Sequence, residues 1–375
     1  MIMSRVFHLL GEDEPFSERN GGAISRWAAN VLREGTEVIV CPATDTSWGF
    51  SAGRVYTLPN WNRARSVHPV LYRLPWIAQK GVYLRIFRPL LKMLHRGDLL
   101  YVHNRPECAA VLAEVAERRG FRLVLHMHNS HLIRANRWQL AAMRNIPVVL
   151  CSEFLRSELN TALPHRFQST SVIYNGADDT KFYPEQRSDT RVPQVIFTGR
   201  LVPYKGAHVL LEAMRTLQRR GVAAECKIVG GSNFGDNSRR TGYVKKLAQM
   251  MPANTELAGY YSGNEFASLL RGADIFCSPS IWNDPFPLAP LEAMASGLPV
   301  VASRAGGIPE ALAHGGGILV APNNPEALAD ALRLLLEDVK YRQRLGAEAV
   351  QAFRHHFRWD AVRADYHALI REVSS

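Results

Sequence analysis

The sequence predicts an α/β protein of two doubly wound parallel-sheet domains, and three observations carry that expectation. The chain has 375 residues, more than one hydrophobic core usually organises. Short apolar runs alternate with helical segments through its first half, the signature of βαβ units. The same alternation restarts after the polar stretch "PEQRSDTRVP".

In order, the first half reads as strand "SRVFHLL", a helix from about Ala23 to Arg33, and strands "TEVIVC" and "DLLYVHN". A helix around Val111 to Arg119 follows, then strands "RLVLHMH" and "PVVLCS". The second half gives "QVIFTG", helix "AHVLLEAMRTLQRR", "CKIVGG", a helix near Tyr243 to Met250, and "NTELAGY". It continues through "NEFASLLRGA", "DIFCSPS", a short helix after Pro287, and "LPVVAS". The last segments, from "PEALADALRLLLED" onward, are helical, with apolar residues three and four apart. The junction is expected near residues 185 to 193. This gives an N-terminal domain over 1–185, a C-terminal domain over 190–355, and a closing helix over 356–375 that returns to the first domain. Ligands of such sheets bind beyond the carboxyl ends of the strands, so a cleft between the domains is the expected site.

Composition narrows the classes. Hydrophobic residues at 47% and charged residues at 21% are ordinary for a soluble globular protein. No apolar run approaches the roughly 20 residues of a membrane span, and the N-terminal apolar stretch is too short for a secretory signal. A cytoplasmic location is expected. Cys41, Cys108, Cys151, Cys226 and Cys277 are scattered without the spacing of a zinc or redox motif. The formal charge of +11 calls for an anionic partner: nucleic acid, membrane or a phosphorylated substrate. Residues 46 to 97 hold nine Lys or Arg and no acid, interleaved with aromatics. That composition suits peripheral contact with an anionic membrane, on the inner face, or a groove for a phosphorylated acceptor. No nucleic-acid-binding motif accompanies it, and no nucleic-acid partner is expected.

The stretch "IWNDPFPLAPLEAMASGLPVV" sets Asp284 and Glu292 eight positions apart around a helix start, about 12 Å if fully helical. Proline fits only before a helix or in its first turn, so Pro285 and Pro287 place Asp284 outside the helix and Glu292 within it. Hydroxyls at both ends of a ligand and negative charge between them would match, because helix N-termini attract phosphate. A capping Asp and a solvated Glu fit the same pattern. "FTGRLVPYKG" puts Arg200 and Lys205 beyond a strand, where two cations can neutralise a diphosphate or simply face solvent. "HMHNSH" brings His128 to a strand end, placed to donate to a sugar hydroxyl or carry a proton. His126 reads as structural, and a metal held by His126, His128 and His131 lacks a supporting acid or cysteine nearby. Gly21 and Gly22 precede the first helix, and Gly306 and Gly307 lie in "SRAGGIPEAL". Each pair is either an anion-binding backbone or a plain turn.

Together these segments resemble the retaining glycosyltransferases of family 4, which have the GT-B fold of two Rossmann-like domains facing each other across a cleft. The likeness runs nearly end to end through "VIYNGADDTKFYP", "FTGRL…YKG", "KIVGG", "ELAGY", "DPFPLAPLEAMASGLPVVAS", "AGGIPE" and "GGILVAPNNPEALADAL". The resemblance implies transfer of a hexose or N-acetylhexosamine, glucose or N-acetylglucosamine from a UDP-sugar. The implied acceptor is a lipopolysaccharide-core, lipid-linked or polysaccharide glycan, with retention and without a metal cofactor. It implies that Arg200 and Lys205 bind the diphosphate and Glu292 the ribose, that Asp284 faces the sugar hydroxyls, and that His128 contacts the sugar. Gly21, Gly22, Gly231 and Tyr260 would line the substrate surface. Two positions depart from the family pattern: Asp284 stands where Glu is usual, and Pro287 where Gly is usual, leaving the phosphate to the N–H groups of Leu288 and Ala289. A nucleotide-sugar epimerase and a non-catalytic nucleotide-sugar-binding or assembly protein are the alternatives.

Overall fold

A computed structural model of the chain describes residues 5–17, 22–32, 37–44, 54–59, 61, 74–185, 191–232 and 241–374. The chain forms two compact units, residues 1–174 with 362–375, and residues 175–361.

The first unit runs β1 (Val6–Leu9), α1 (Ala23–Val31), β2 (Glu37–Cys41), β3 (Val55–Thr57), α2 (Trp76–Met93), β4 (Leu99–His103) and α3 (Pro106–Arg119). It continues with β5 (Arg122–Met127), α4 (Arg137–Ala142), β6 (Val148–Leu150), α5 (Glu153–Ala162) and β7 (Thr170–Val172). Its strands lie parallel in the order β3-β2-β1-β4-β5-β6-β7. The strands β4 and β6 are buried along their whole length, as expected of a sheet covered on both faces. Helix α3 begins at Pro106, earlier than the apolar spacing suggested. A proline suits that first position, and Gly120 with φ 72° caps the other end.

The second unit runs β8 (Gln194–Thr198), α6 (Ala207–Arg219), β9 (Glu225–Val229), α7 (Gly242–Met250), β10 (Thr255–Gly259), α8 (Gly263–Gly272) and β11 (Ile275–Ser278). Then come α9 (Leu288–Ala295), β12 (Val300–Ser303), α10 (Ile308–Ala311), β13 (Gly317–Val320), α11 (Pro325–Glu337) and α12 (Val339–His356). The strands are again parallel, ordered β10-β9-β8-β11-β12-β13. Leu210, Met214 and Leu217 of α6 share one core with Leu328, Leu332 and Leu335 of α11. Their three- and four-residue spacing puts them on one stripe, and each contributes roughly 1.5–3 kcal/mol by burial.

The division between units falls at Tyr174 and Asn175, ahead of the polar stretch at 185 to 193 where composition had placed it. Residues 175–185 are fastened to the second unit. Asn175 donates to the Phe286 carbonyl at 2.8 Å, Arg271 donates to the Lys181 carbonyl at 2.7 Å, and Phe182 packs edge-on to Phe266. The final helix, α13 (Trp359–Ser374), is counted with the first unit from Val362 onward. There Arg363 donates to the Asn30 carbonyl at 2.9 Å and Tyr366 is fully buried.

Candidate active site

In the second unit the strand order reverses between β8 and β11, so their connections leave in opposite directions and open a crevice at the carboxyl edge. Arg200 and Lys205 follow β8, Gly231 follows β9, Tyr260 follows β10, Asp284 and α9 follow β11, and Gly306 and Gly307 follow β12. The parallel sheet therefore gathers at one edge residues that are up to 107 positions apart, from Arg200 to Gly307.

The Lys205 ammonium pairs with the Asp284 carboxylate. These two groups, assigned separately to a diphosphate and a sugar, are thus partners of one another. Lys205 ends a 3-10 turn, Pro203–Lys205, whose next residue, Gly206, has φ 77°. A side chain at 206 would place its Cβ 1.8 Å from the Pro279 carbonyl oxygen, so only glycine lets this turn pack on the end of β11. Arg200 donates to the Tyr204 hydroxyl at 2.7 Å, and Tyr204 meets Trp282 edge-on with centroids 5.5 Å apart.

Helix α9 starts at Leu288 with Pro287 as its N-cap and no side-chain cap. A helix start leaves four amides without intrahelical acceptors; prolines at 287 and 290 have none to offer, which leaves Leu288 and Ala289. Glu292 is only 5% exposed, which excludes the solvated reading of this residue and leaves a buried carboxylate behind the helix start. Gly306 and Gly307 have a packing role. Their N–H groups donate to Asn283 Oδ1 at 3.2 Å and to the Asp284 carbonyl at 2.8 Å. A Cβ on Gly306 would meet the Asp284 carbonyl oxygen at 2.1 Å.

In the first unit, His128 follows β5 and is partly exposed. Its backbone N–H donates to Asn104 Oδ1 at 3.1 Å and its Nε2 lies 3.3 Å from His103 Nδ1. Burial pushes its imidazole down to about 3. His126 and His103 are also pushed well below the usual histidine range, first by burial and then by neighbouring imidazoles. His126 Nδ1 lies 3.3 Å from the Tyr101 hydroxyl, and its ring is edge-on to Trp27. Gly22 is the N-cap of α1, and its N–H donates to Glu14 Oε1 at 2.9 Å. The Glu14 carboxylate occupies the helix start that was a candidate for an external anion. Gly21 lies outside the described residues.

Among the described residues, the group able to converge on a metal ion is His103, His126 and His128, with ligand atoms within 4.8 Å of one another. His131 does not belong to it; its N–H is turned to Asn129 Oδ1 at 2.9 Å within the turn after β5.

Residues 24–181 match the family described as Glycosyltransferase Family 4, and residues 178–352 match Glycosyl transferases group 1. The chain belongs to these glycosyltransferases. The Bacillus subtilis spore coat protein SA is 27% identical over 290 residues, 71% of this chain and 76% of that protein. D-inositol 3-phosphate glycosyltransferase from Corynebacterium glutamicum is 35% identical over 54% of this chain, which spans about half, 51%, of that relative. Among solved structures, Anabaena HepE in complex with UDP and glucose has a TM-score of 0.74 at 21% identity, covering 98% of this chain and 99% of its own. The fold of this glycosyltransferase is accordingly GT-B.

Sequence reasoning missed His103, whose ring meets His128, and behind it His8 and Tyr366, joined to His103 by hydrogen bonds of His8; Glu37 Oε2 lies 3.4 Å from His8 Nε2. The signal was present in "LYVH" and "LHMH", where alternate residues, Tyr101 with His103 and His126 with His128, fall on one face of neighbouring strands. The register pairs His103 with His126 and His8 with Tyr101.

Proposed function

We propose that this glycosyltransferase moves a hexose or N-acetylhexosamine, glucose or N-acetylglucosamine, from a UDP-sugar to a lipopolysaccharide-core, lipid-linked or polysaccharide acceptor. The observation that carries the reading is the gathering of Arg200, Lys205, the Leu288 and Ala289 amides and buried Glu292 at the switch point of the second sheet. Cations and helix amides aimed at one place stabilise charge developing on a leaving diphosphate. In this proposal they meet that charge without a metal ion, and the departing phosphate assists attack from its own face, so the anomeric configuration is retained. The structure of HepE with UDP and glucose supports the choice of base.

A thermal-shift and hydrolysis panel of UDP-, GDP- and ADP-sugars, each with and without EDTA, tests the reading. Stabilisation by a UDP-sugar with slow, EDTA-insensitive release of UDP is expected; silence from all of them would overturn it in favour of an assembly role. Glu292→Gln is expected to weaken UDP roughly tenfold, the loss of one charged hydrogen-bond acceptor. Unchanged affinity by calorimetry would remove the ribose role.

A peripheral contact with anionic membrane is part of the same proposal. Residues 46–53, 60 and 62–73 of the basic stretch lie outside the described residues. On α2, Arg85, Arg88 and Lys92 are exposed, and toward its N-terminal end Leu74 and Ile77 are 37% and 84% exposed. Among the described residues no helix is long and apolar enough to cross a membrane. Apolar tips beside basic side chains suit an interface with acidic head groups. Charge reversal at Arg85 and Arg88 together is expected to abolish co-sedimentation with phosphatidylglycerol vesicles while phosphatidylcholine vesicles bind neither form. Equal binding of both proteins to the acidic vesicles would count against docking.

A further inference from the structure

The parallel register of the first unit brings three histidines together from two strands. His103 ends β4, His126 stands opposite it in β5, and His128 follows two residues later on the same face. One nitrogen from each ring lies within 4.8 Å of the others. His103 and His126 are fully buried, and His128 is half-buried.

The outer nitrogens of two of these rings are already held. His103 Nε2 lies 3.1 Å from His8 Nδ1, and His103 Nδ1 faces His128. His126 Nδ1 lies 3.3 Å from the Tyr101 hydroxyl, and His126 Nε2 is buried without a hydrogen-bond partner. Histidines that ligate metals are oriented in this way, with one nitrogen on an outer partner and the other on the ion. An ion also satisfies the buried nitrogen that the protein leaves unpaired. His103 Nδ1 and His128 Nε2 are 3.3 Å apart. That is at the long end for a hydrogen bond, and it matches the edge of about 3.3–3.4 Å between two nitrogens held tetrahedrally at about 2.0–2.1 Å from zinc.

The donor set selects the ion. Imidazoles without an oxygen ligand suit zinc and its first-row neighbours, whereas calcium and magnesium take oxygen. Behind His103 the histidine line continues through His8 to Tyr366, whose hydroxyl is 2.9 Å from His8 Nε2. Glu37 Oε2 lies 3.4 Å from the same nitrogen and is buried without a hydrogen-bond partner. A divalent ion at the far end of the line brings positive charge to the face of the sheet that carries this buried carboxylate.

We propose that His103, His126 and His128 form a zinc site in the first unit, using His103 Nδ1, His126 Nε2 and a nitrogen of His128, with water as the fourth ligand. The ion cross-links the carboxyl ends of β4 and β5. Drawing the cluster in from 4.8 Å asks for a small rotation of the half-buried His128. The ion takes no part in the donor chemistry proposed for the second unit, so this site stands or falls apart from that reading.

The test titrates the full chain, stripped with chelator, with zinc by calorimetry and with cobalt(II) by visible absorption, magnesium serving as the control. One zinc per chain, a raised thermal midpoint and the intense bands of tetrahedral cobalt are expected, with no response to magnesium. Tyr101→Phe removes the outer partner of His126 while keeping its bulk, and is expected to weaken zinc roughly 10–100-fold. His128→Gln is expected to remove the site and the cobalt bands. His314 and His356, whose rings stack 3.8 Å apart at the surface, are the competing source of imidazoles, and His356→Gln is expected to leave zinc binding unchanged. No zinc binding by the wild type, equal affinity in His128→Gln, or loss of the site in His356→Gln overturns the proposal. Should His128→Gln fail to fold, as judged by circular dichroism, Tyr101→Phe decides in its place, and equal affinity there overturns the proposal.

Discussion

Lys205→Ala is expected to lower turnover by roughly 10²–10³-fold, the loss that follows removal of one preorganised electrostatic donor to a developing anion, while the fold persists. Lys205 sits at the end of a short turn with its side chain 21% exposed, and it is not a member of the second unit's main apolar core. Its partner Asp284 is more enclosed, with a side chain 10% exposed. Removing the lysine leaves that carboxylate unpaired, so some loss of stability accompanies the loss of rate. The two effects separate in the double variant Lys205→Ala with Asp284→Asn. Neutralising the aspartate relieves the unpaired charge and raises the thermal midpoint, but cannot return the cation proposed to meet the diphosphate. Recovery of turnover in the double variant would show that Lys205 matters only as the partner of Asp284. Lys205→Arg keeps the charge in a different shape and is expected to fall between the wild type and alanine.

Acidification from pH 7 to pH 5 is expected to destabilise the first unit far more than surface titration alone would. His103, His126 and His128 are neutral in the fold because burial holds their imidazoles below the ordinary value of 6.5, His128 down to about 3. In the unfolded chain each takes up a proton near pH 6.5. Below that value the unfolded state binds more protons than the folded one, so stability falls as pH falls, across the window from 6.5 to about 3 for His128. All three groups act in the same direction, so their losses of stability add in sign as pH falls below 6.5. Glu14 works in the other direction. Burial raises its carboxyl, so protonation favours the fold as pH drops, but one group cannot offset three. Thermal melts at pH 7.5, 6 and 5, followed through the fluorescence of buried Trp27, measure the effect; a midpoint that does not move between pH 7.5 and 5 would contradict it.

Sequence alone determined the parts of this protein that depend on local pattern. Two series of apolar runs separated by helices yielded the two parallel sheets, because strands covered on both faces read as continuous hydrophobic stretches. The restart after residue 185 showed that there were two. Prolines and the good helix formers after Pro287 located α9, and its start at Leu288 follows from what proline permits. Short or less apolar elements escaped: β3, β7, β13, α2, α4 and α5. The three-residue strands among them, Val55–Thr57 and Thr170–Val172, carry too few side chains to show alternation. Helix α2 holds Pro89 in its interior, which argues locally against a helix.

Tertiary structure alone decided how the candidate residues meet. Strand order brings Arg200, Lys205, Asp284 and α9 to one edge, and no local pattern encodes that Lys205 and Asp284 would pair or that Glu292 would be buried. The glycines at 306 and 307, open to an anion as a sequence, are spent on backbone packing once the loop after β12 meets Asp284. The histidine line was half legible. The two-residue spacing of Tyr101 with His103 and His126 with His128 put each pair on one face, but joining them to His8, Glu37 and Tyr366 required the register of four neighbouring strands and a helix more than 300 residues away in the chain. Periodicity acts over a few residues, whereas register and strand order arise from packing the whole sheet at once; that physical difference separates what the chain announces from what only its fold assembles.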